Sequence, residues 1–243
     1  MSLPASAYES LASLLKSRSG LVLGADKSYL LEAKLAPIAR REGLRDVAGL
    51  AEILRRPGNE TLIAEVVESM TTNESLFFRD EKPFAHLRTV LLPAIAASTP
   101  RGRTLRIWSA AASTGQEPYS IAMTIAESKL LLGERRVEIV ATDLAREPLN
   151  RTREGIYSQF EIQRGLPMAM LARYFQKEPA GWRIRDTLRA MVQCREWNLL
   201  ADPAALGTFD IIFCRNVLIY FDPPTKTRVL ESIARQLAPH GAL

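Results

Sequence analysis

With 243 residues, 47% of them hydrophobic and 24% charged, the chain has the profile of an ordinary globular protein with room for one large domain or two smaller ones. Cys194 and Cys214 are the only cysteines and His86 and His240 the only histidines, in no ligand spacing, which argues against a metal site or a histidine-based triad and fits a reducing cytoplasm. The net charge of +5 is local: Leu144 to Arg195 holds ten Lys/Arg against five Asp/Glu, a stretch suited to an acidic protein or nucleic acid, or to a plain solvated face. No apolar run approaches membrane-spanning length, and the N-terminus lacks a signal-peptide layout.

The first seventy residues read as four short amphipathic helices. Tyr8, Leu11, Leu14 and Leu15 form one stripe, broken at Gly20; Leu30, Leu31, Leu35, Ile38 and Ala39 form a second, ended by Gly43. Asp46 is placed to cap a third helix through Leu54, and Asn59 a fourth bearing Leu62, Ile63, Val66 and Val67. Lys27 and Lys34, seven apart, are expected on one helix face where they could grip an acidic partner. Met70 to Arg79 follows, with Phe77-Phe78 as a hydrophobic anchor and Asn73, Ser75 and Arg79 unexplained by anchoring alone; a helix is expected from about Lys82 to Ala97.

The most informative stretch is Leu105 to Ser120. A β-prone run at Leu105, Ile107 and Trp108 gives way to small residues, Ser109 to Gly115, and then to a helical pattern at Tyr119, Ile121, Ala122 and Ile125. A strand, a tight loop and a helix N-terminus let a ligand approach the backbone. Glu117 would repel a pyrophosphate but suits ribose hydroxyls or a cation, pointing away from NAD and towards a sulfonium nucleoside such as S-adenosylmethionine. Plain turn chemistry explains the small residues equally well.

Strands are then expected at Val137–Thr142, Met191–Trp197 and Phe209–Cys214, with helices at about Pro118–Leu132 and Pro224–Leu237. This alternation implies a parallel, doubly wound sheet with ligands outside the carboxyl ends of its strands. Glu117, Asp143, Asn198 and Arg215-Asn216 all fall at or just beyond such ends. Between Asp143 and Met191 an inserted helix and a small β element are expected, with Trp182, Ile184 and Leu188 alternating in one strand.

Five motifs in order, T-T-N-E-S-L-F-F-R (71–79), W-S-A-A-A-S-T-G-Q-E-P-Y-S-I-A (108–122), A-T-D-L (141–144), W-N-L-L (197–200) and F-D-I-I-F-C-R-N-V-L-I-Y-F (209–221), make the chain resemble the CheR-type chemoreceptor glutamate methyltransferases over nearly its whole length. The resemblance implies an N-terminal all-α domain (1–70), a linker (71–82) and a Rossmann-like methyltransferase domain (83–243) with a small antiparallel β-subdomain at about 155–195. It implies S-adenosylmethionine as cofactor, S-adenosylhomocysteine as product, and glutamate side chains of the chemoreceptor cytoplasmic domain as acceptors during adaptation. Carried over, the cofactor is bound by Asn73, Ser75 (Thr in most of the family), Arg79, Glu117, Asp143, Asn198, Leu199, Arg215 and Asn216. Arg79 and Tyr220 are the expected catalytic residues, Arg79 holding the acceptor carboxylate and Tyr220 orienting it or shaping the channel.

The resemblance further implies a cytoplasmic enzyme docked on its receptor through the basic subdomain and the second helix. The short loop Lys177-Glu178-Pro179-Ala180-Gly181 suggests that it does so without a pentapeptide tether. The family continues beyond Leu243 through a final hairpin, so four parallel strands are expected, with Phe209–Cys214 as an exposed edge. The rival readings are a nucleic-acid methyltransferase acting through the basic patch, which lacks interleaved exposed aromatics although Tyr157, Phe160 and Trp182 are available, and a non-catalytic module that senses the cofactor or docks on receptors.

Overall fold

The structure, a computed structural model, describes residues 3–100 and 102–243. The chain divides into two compact units, one formed by residues up to Thr72 with Val217–Val229, the other by Asn73–Asn216 with Leu230–Leu243.

Four helices build most of the first unit: α1 (Ala5–Ser19), α2 (Ser28–Arg41), α3 (Val47–Leu54) and α4 (Glu60–Met70). Each buries the stripe its spacing dictates: Ala7, Leu11 and Leu15 from α1, Leu31, Leu35, Ile38 and Ala39 from α2. Gly20 closes α1 in the left-handed conformation (φ 78°), donating its N–H to the Lys16 carbonyl. Asp46 caps α3 through Gly49.

Asn59 does not cap α4. Its amide turns back to donate to the carbonyls of Ile53 and Arg56 at the end of α3. Lys27 and Lys34 do not share a helix face either, because Lys27 lies in a 3-10 turn before α2 and Lys34 donates to the Thr71 carbonyl (2.9 Å). Half-burial lowers the pKa of that ammonium. The turn Leu218–Tyr220 belongs to this unit, its Tyr220 carbonyl accepting from the Val22 N–H (2.9 Å) and Asp222 pairing with Lys16 (2.7 Å).

The second unit opens with α5 (Lys82–His86) and α6 (Leu92–Ser98), which flank a π-helical turn at Leu87–Leu91 inside the one helix expected there. Its centre is a five-stranded parallel sheet in the order β6-β2-β1-β7-β8: β1 (Leu105–Ala110), β2 (Val137–Asp143), β6 (Val192–Glu196), β7 (Phe209–Cys214) and β8 (Leu237–Ala242). The central strands β1, β2 and β7 are buried along most of their length, and α7 (Gln116–Glu127) and α9 (Arg146–Glu154) pack on the sheet; α8 (Lys129–Leu132) follows α7, and α13 (Pro223–Ala234) precedes β8. Trp108, fully buried on β1, lies 5.4 Å from the Phe209 ring and donates its indole N–H to Thr142 Oγ1 (2.9 Å).

The expectation of four strands with β7 at an open edge is corrected by β8, which pairs with β7 through Phe209 and Ile211. The apolar run 209–214 is therefore interior to the sheet. Leu237–Ala242 contains Pro239, His240 and Gly241, a composition that hides a strand from pattern reading.

The insertion after β2 holds a three-stranded antiparallel sheet, β3 (Ile156–Tyr157), β4 (Phe175–Glu178) and β5 (Gly181–Ile184), in the order β3-β5-β4, with α10 (Gln159–Gln163), α11 (Met168–Tyr174) and α12 (Asp186–Arg189) around it. Leu188 sits in α12 and not in the strand that ends at Ile184. Tyr157 is 1% exposed, its ring packed against Phe77 and Phe175. Trp182 is half-buried under the Lys177 ammonium and bonded to Gln159. Phe160, in contrast, is 66% exposed, with the Arg164 guanidinium over its ring.

Candidate active site

Strand order reverses direction at β1, so the crevice of this fold lies at the carboxyl ends of β1 and β7. The chain leaves β1 at Ala110 and must enter α7 at Gln116. It does so with Ala111 (φ 64°), Ser113 (φ 51°) and Gly115 (φ 95°) in the left-handed region. Such backbone costs a non-glycine residue about 1–3 kcal/mol and persists where its surroundings over-determine it.

Here they do. The Ala112 N–H donates to the Thr142 carbonyl (2.8 Å), the Ser113 N–H to Asp143 Oδ2 (2.8 Å), Ser113 Oγ to the Asn73 carbonyl (2.8 Å) and Thr152 Oγ1 to the Ser113 carbonyl (3.0 Å). At Gly115 even a Cβ would meet Thr152 Cγ2 at 2.7 Å and Tyr157 Oη at 2.8 Å, so glycine is required on two counts.

Asp143 closes β2, 8% exposed, and is oriented by two main-chain donors: Ser113 on Oδ2 and Ala145 on Oδ1 (2.9 Å). Its own carbonyl accepts the Trp197 N–H (2.8 Å), which brings the segment after β6 alongside, where Asn198 Oδ1 accepts from Leu200. The Trp197 indole N–H is buried without a partner among the described residues.

Glu117, in the first turn of α7 and 9% exposed, receives the Ser109 hydroxyl on Oε1 (2.7 Å) and the Arg215 guanidinium on Oε2 (2.9 Å). Burial pushes its carboxyl above the ordinary range, against the pull of Ser109, Arg215 and the nearby Arg79 charge. A cationic ligand group needs Glu117 ionised, so cofactor affinity should fall as pH is lowered through that raised pKa. Glu117→Gln should bind more weakly at neutral pH, with a flat pH profile, as read by calorimetric titration across the acidic range.

Arg215 is nearly saturated. Besides Glu117 it donates to the Arg79 carbonyl (2.7 Å) and Asp80 Oδ2 (2.8 Å), and it stacks over the Phe84 ring. Arg79 contrasts with it: among the described residues its guanidinium makes one long bond, 3.2 Å, to the Glu74 carbonyl. Hydrogen bonds thus join Asn73 to Asp143 through Ser113, and Arg79 to Glu117 through Arg215, and Asn216 (φ 56°) follows Arg215 directly. Ser75 is half-buried on the same segment as Asn73 and Arg79, and Leu199 follows Asn198. Tyr220 is not among the side chains this network joins; it lies in the first unit. Ser109, Ser113 and Asp80 escaped sequence reading: a serine in a strand or a tight turn and an acid in a linker carry no signal until their partners Glu117, Asp143 and Arg215 are in place.

A donor set with one carboxylate beside a nucleoside-type loop and a second at a helix start suits ribose hydroxyls together with a cationic amino-acid end. It opposes a pyrophosphate. Fold and site thus define a methyltransferase of the S-adenosylmethionine-dependent class, and the comparisons agree. Residues 73–243 match the CheR methyltransferase SAM-binding domain and residues 6–71 the CheR all-alpha domain. The chain is 40% identical over 240 residues to chemotaxis protein methyltransferase Cher2 of Pseudomonas putida, covering 97% of this chain and 87% of that protein. It is also 40% identical over 243 residues to a chemotaxis protein methyltransferase of Vibrio parahaemolyticus, covering 97% and 86%. The chain belongs to the CheR methyltransferase family, and its cofactor is S-adenosylmethionine.

Proposed function

We propose that the protein transfers the cofactor's methyl group to glutamate side chains in the cytoplasmic domain of chemoreceptors, forming methyl esters and S-adenosylhomocysteine. The observation that carries this is Arg79: a guanidinium with most of its donors unengaged among the described residues, on backbone held by Arg215 beside Glu117. A fork of this shape matches a carboxylate in bidentate fashion. When bound, S-adenosylmethionine supplies a methyl group on a sulfonium centre, open to displacement by a carboxylate oxygen. Glutamate is ionised at neutral pH, so the chain has no proton to remove; its task is to align and partly desolvate the acceptor.

In this reading Asp143 takes the ribose hydroxyls and Glu117 the cationic end of the cofactor, with Asn73, Ser75, Asn198, Leu199, Arg215 and Asn216 completing the pocket; Arg79, expected at both cofactor and acceptor, borders the cofactor and spends its fork chiefly on the acceptor. Tyr220 orients the acceptor. The linker 71–82 carries Asn73, Ser75 and Arg79 between a helical domain, 1–70, and a methyltransferase domain, 83–243. The basic insertion, about 155–195, docks on the receptor helices in the cytoplasm, and the tight β4–β5 connection at Pro179-Ala180, too short to take a pentapeptide tether, supports an enzyme that works without one. The second helix contributes to docking through residues other than Lys34, whose ammonium is engaged internally.

The test is incubation with methyl-labelled S-adenosylmethionine and receptor-bearing membranes. Label on the receptor band that is released as methanol in alkali is the expected result. Alkali-stable label, or label on nucleic acid, would overturn the acceptor assignment.

A further inference from the structure

Three non-glycine residues around Arg79 lie in the left-handed region: Phe78 (φ 50°), Asp80 (φ 66°) and Glu81 (φ 41°). A backbone so far from its preferred wells holds its shape only where other groups impose it. Those groups are visible. The Phe78 N–H donates to Ser120 Oγ (2.9 Å), and Ser120, fully buried on α7, donates in turn to the Gln116 carbonyl (2.6 Å). The Arg79 carbonyl is held by Arg215.

Phe77 is fully buried, edge-on to Tyr157 and Phe175 of the insertion, at centroid distances of 4.9 and 5.7 Å. Its carbonyl sits so close to Gly165 (φ 88°) that a Cβ there would overlap it. Glu74, whose carbonyl receives the Arg79 guanidinium, pairs with Arg164 of the insertion (2.8 Å).

We infer that Ser120 is a positioning residue for methyl transfer: its hydroxyl, opposed by the Gly165 seat, fixes the strained turn that aims the Arg79 guanidinium. This rests on the proposed acceptor-holding role of Arg79. Ser120 donates and accepts at once, and the N–H it receives belongs to the residue next to Arg79, so its loss frees the turn from α7 without touching Arg79 or the ends of β1 and β2. A displacement of this kind at a reacting group is worth up to about 100-fold in rate.

The experiment is steady-state kinetics of the full chain with receptor-bearing membranes, alongside calorimetric binding of S-adenosylmethionine. Ser120→Ala is expected to lower kcat by about 10- to 100-fold while the cofactor Kd changes by less than about threefold. Gly165→Ala, which presses on the same turn from its other side, is expected to show the same split if Ser120→Ala proves too unstable to assay. In an Arg79→Ala background, Ser120→Ala is expected to cost no more than about twofold, since residues acting through one group are not additive.

Losses that multiply in the double variant, or a kcat within about twofold of wild type in a folded Ser120→Ala, would overturn the inference. An inactive Arg79→Ala with an active Ser120→Ala defeats the positioning role alone. An active Arg79→Ala defeats the reading of Arg79 itself.

Discussion

Asp143→Ala is expected to weaken S-adenosylmethionine binding by at least about 1000-fold, by calorimetry on a chain that remains folded. The carboxylate receives main-chain N–H groups from the loops after β1 and β2, Ser113 on one oxygen and Ala145 on the other. Each such charge-assisted bond contributes about 1.5–3 kcal/mol, and the alanine variant leaves both donors buried and unpaired. Ser113 then has no reason to remain at φ 51°, and relaxing it moves the Asn73 carbonyl and Thr152, both bonded to Ser113. The loss is therefore the direct contact and the shape of the loop together.

Asp143→Asn separates the two. It keeps one acceptor oxygen but turns an amide N–H against a main-chain N–H, so its affinity should fall between wild type and alanine. An alanine variant that binds within tenfold of wild type, with unchanged thermal stability, would remove Asp143 from the cofactor site.

Most of the scaffold was legible because periodicity reports burial directly. β7 is recovered to the residue, and α1 and α3 stop where Gly20 and Leu54 say they should. The misses share one physical cause, a competing partner that periodicity does not show, near in sequence for Asn59 and distant for Lys34 and β8. Asn59 has the chemistry of a cap but found carbonyls at the end of the previous helix. Lys34 has the spacing of a surface lysine but found Thr71. β8 is legible only once β7 offers it an edge.

The site followed the same rule. Glu117, Asp143 and Arg215 announce themselves as charges at strand or helix ends. Ser109, Ser113 and Ser120 act by orienting those charges or the backbone beside them, and a serine in a small-residue loop or an amphipathic helix looks the same whether or not it does so.

Arg79→Ala is expected to lower kcat by about 100- to 1000-fold while leaving the cofactor Kd within about fivefold of wild type. The split follows from how the two arginines are engaged. Arg215 is committed to Glu117, Asp80 and the Arg79 carbonyl, so removing it would strip a buried carboxylate of its counter-charge and damage binding first. Arg79 leans on one carbonyl at 3.2 Å, a bond that an incoming carboxylate can outcompete at little cost.

The arginine must also hold its guest loosely, because a carboxylate neutralised by a tight fork is a poorer nucleophile, and a single lightly engaged guanidinium meets that condition better than a buried pair would. Arg79→Lys keeps the charge and loses the fork, so it should recover only part of the rate. Guanidinium ion added to Arg79→Ala should restore activity in a saturable manner with no effect on cofactor binding. A variant whose cofactor Kd rises in step with its loss of rate would instead make Arg79 a clamp on the cofactor, and the acceptor carboxylate would need another holder.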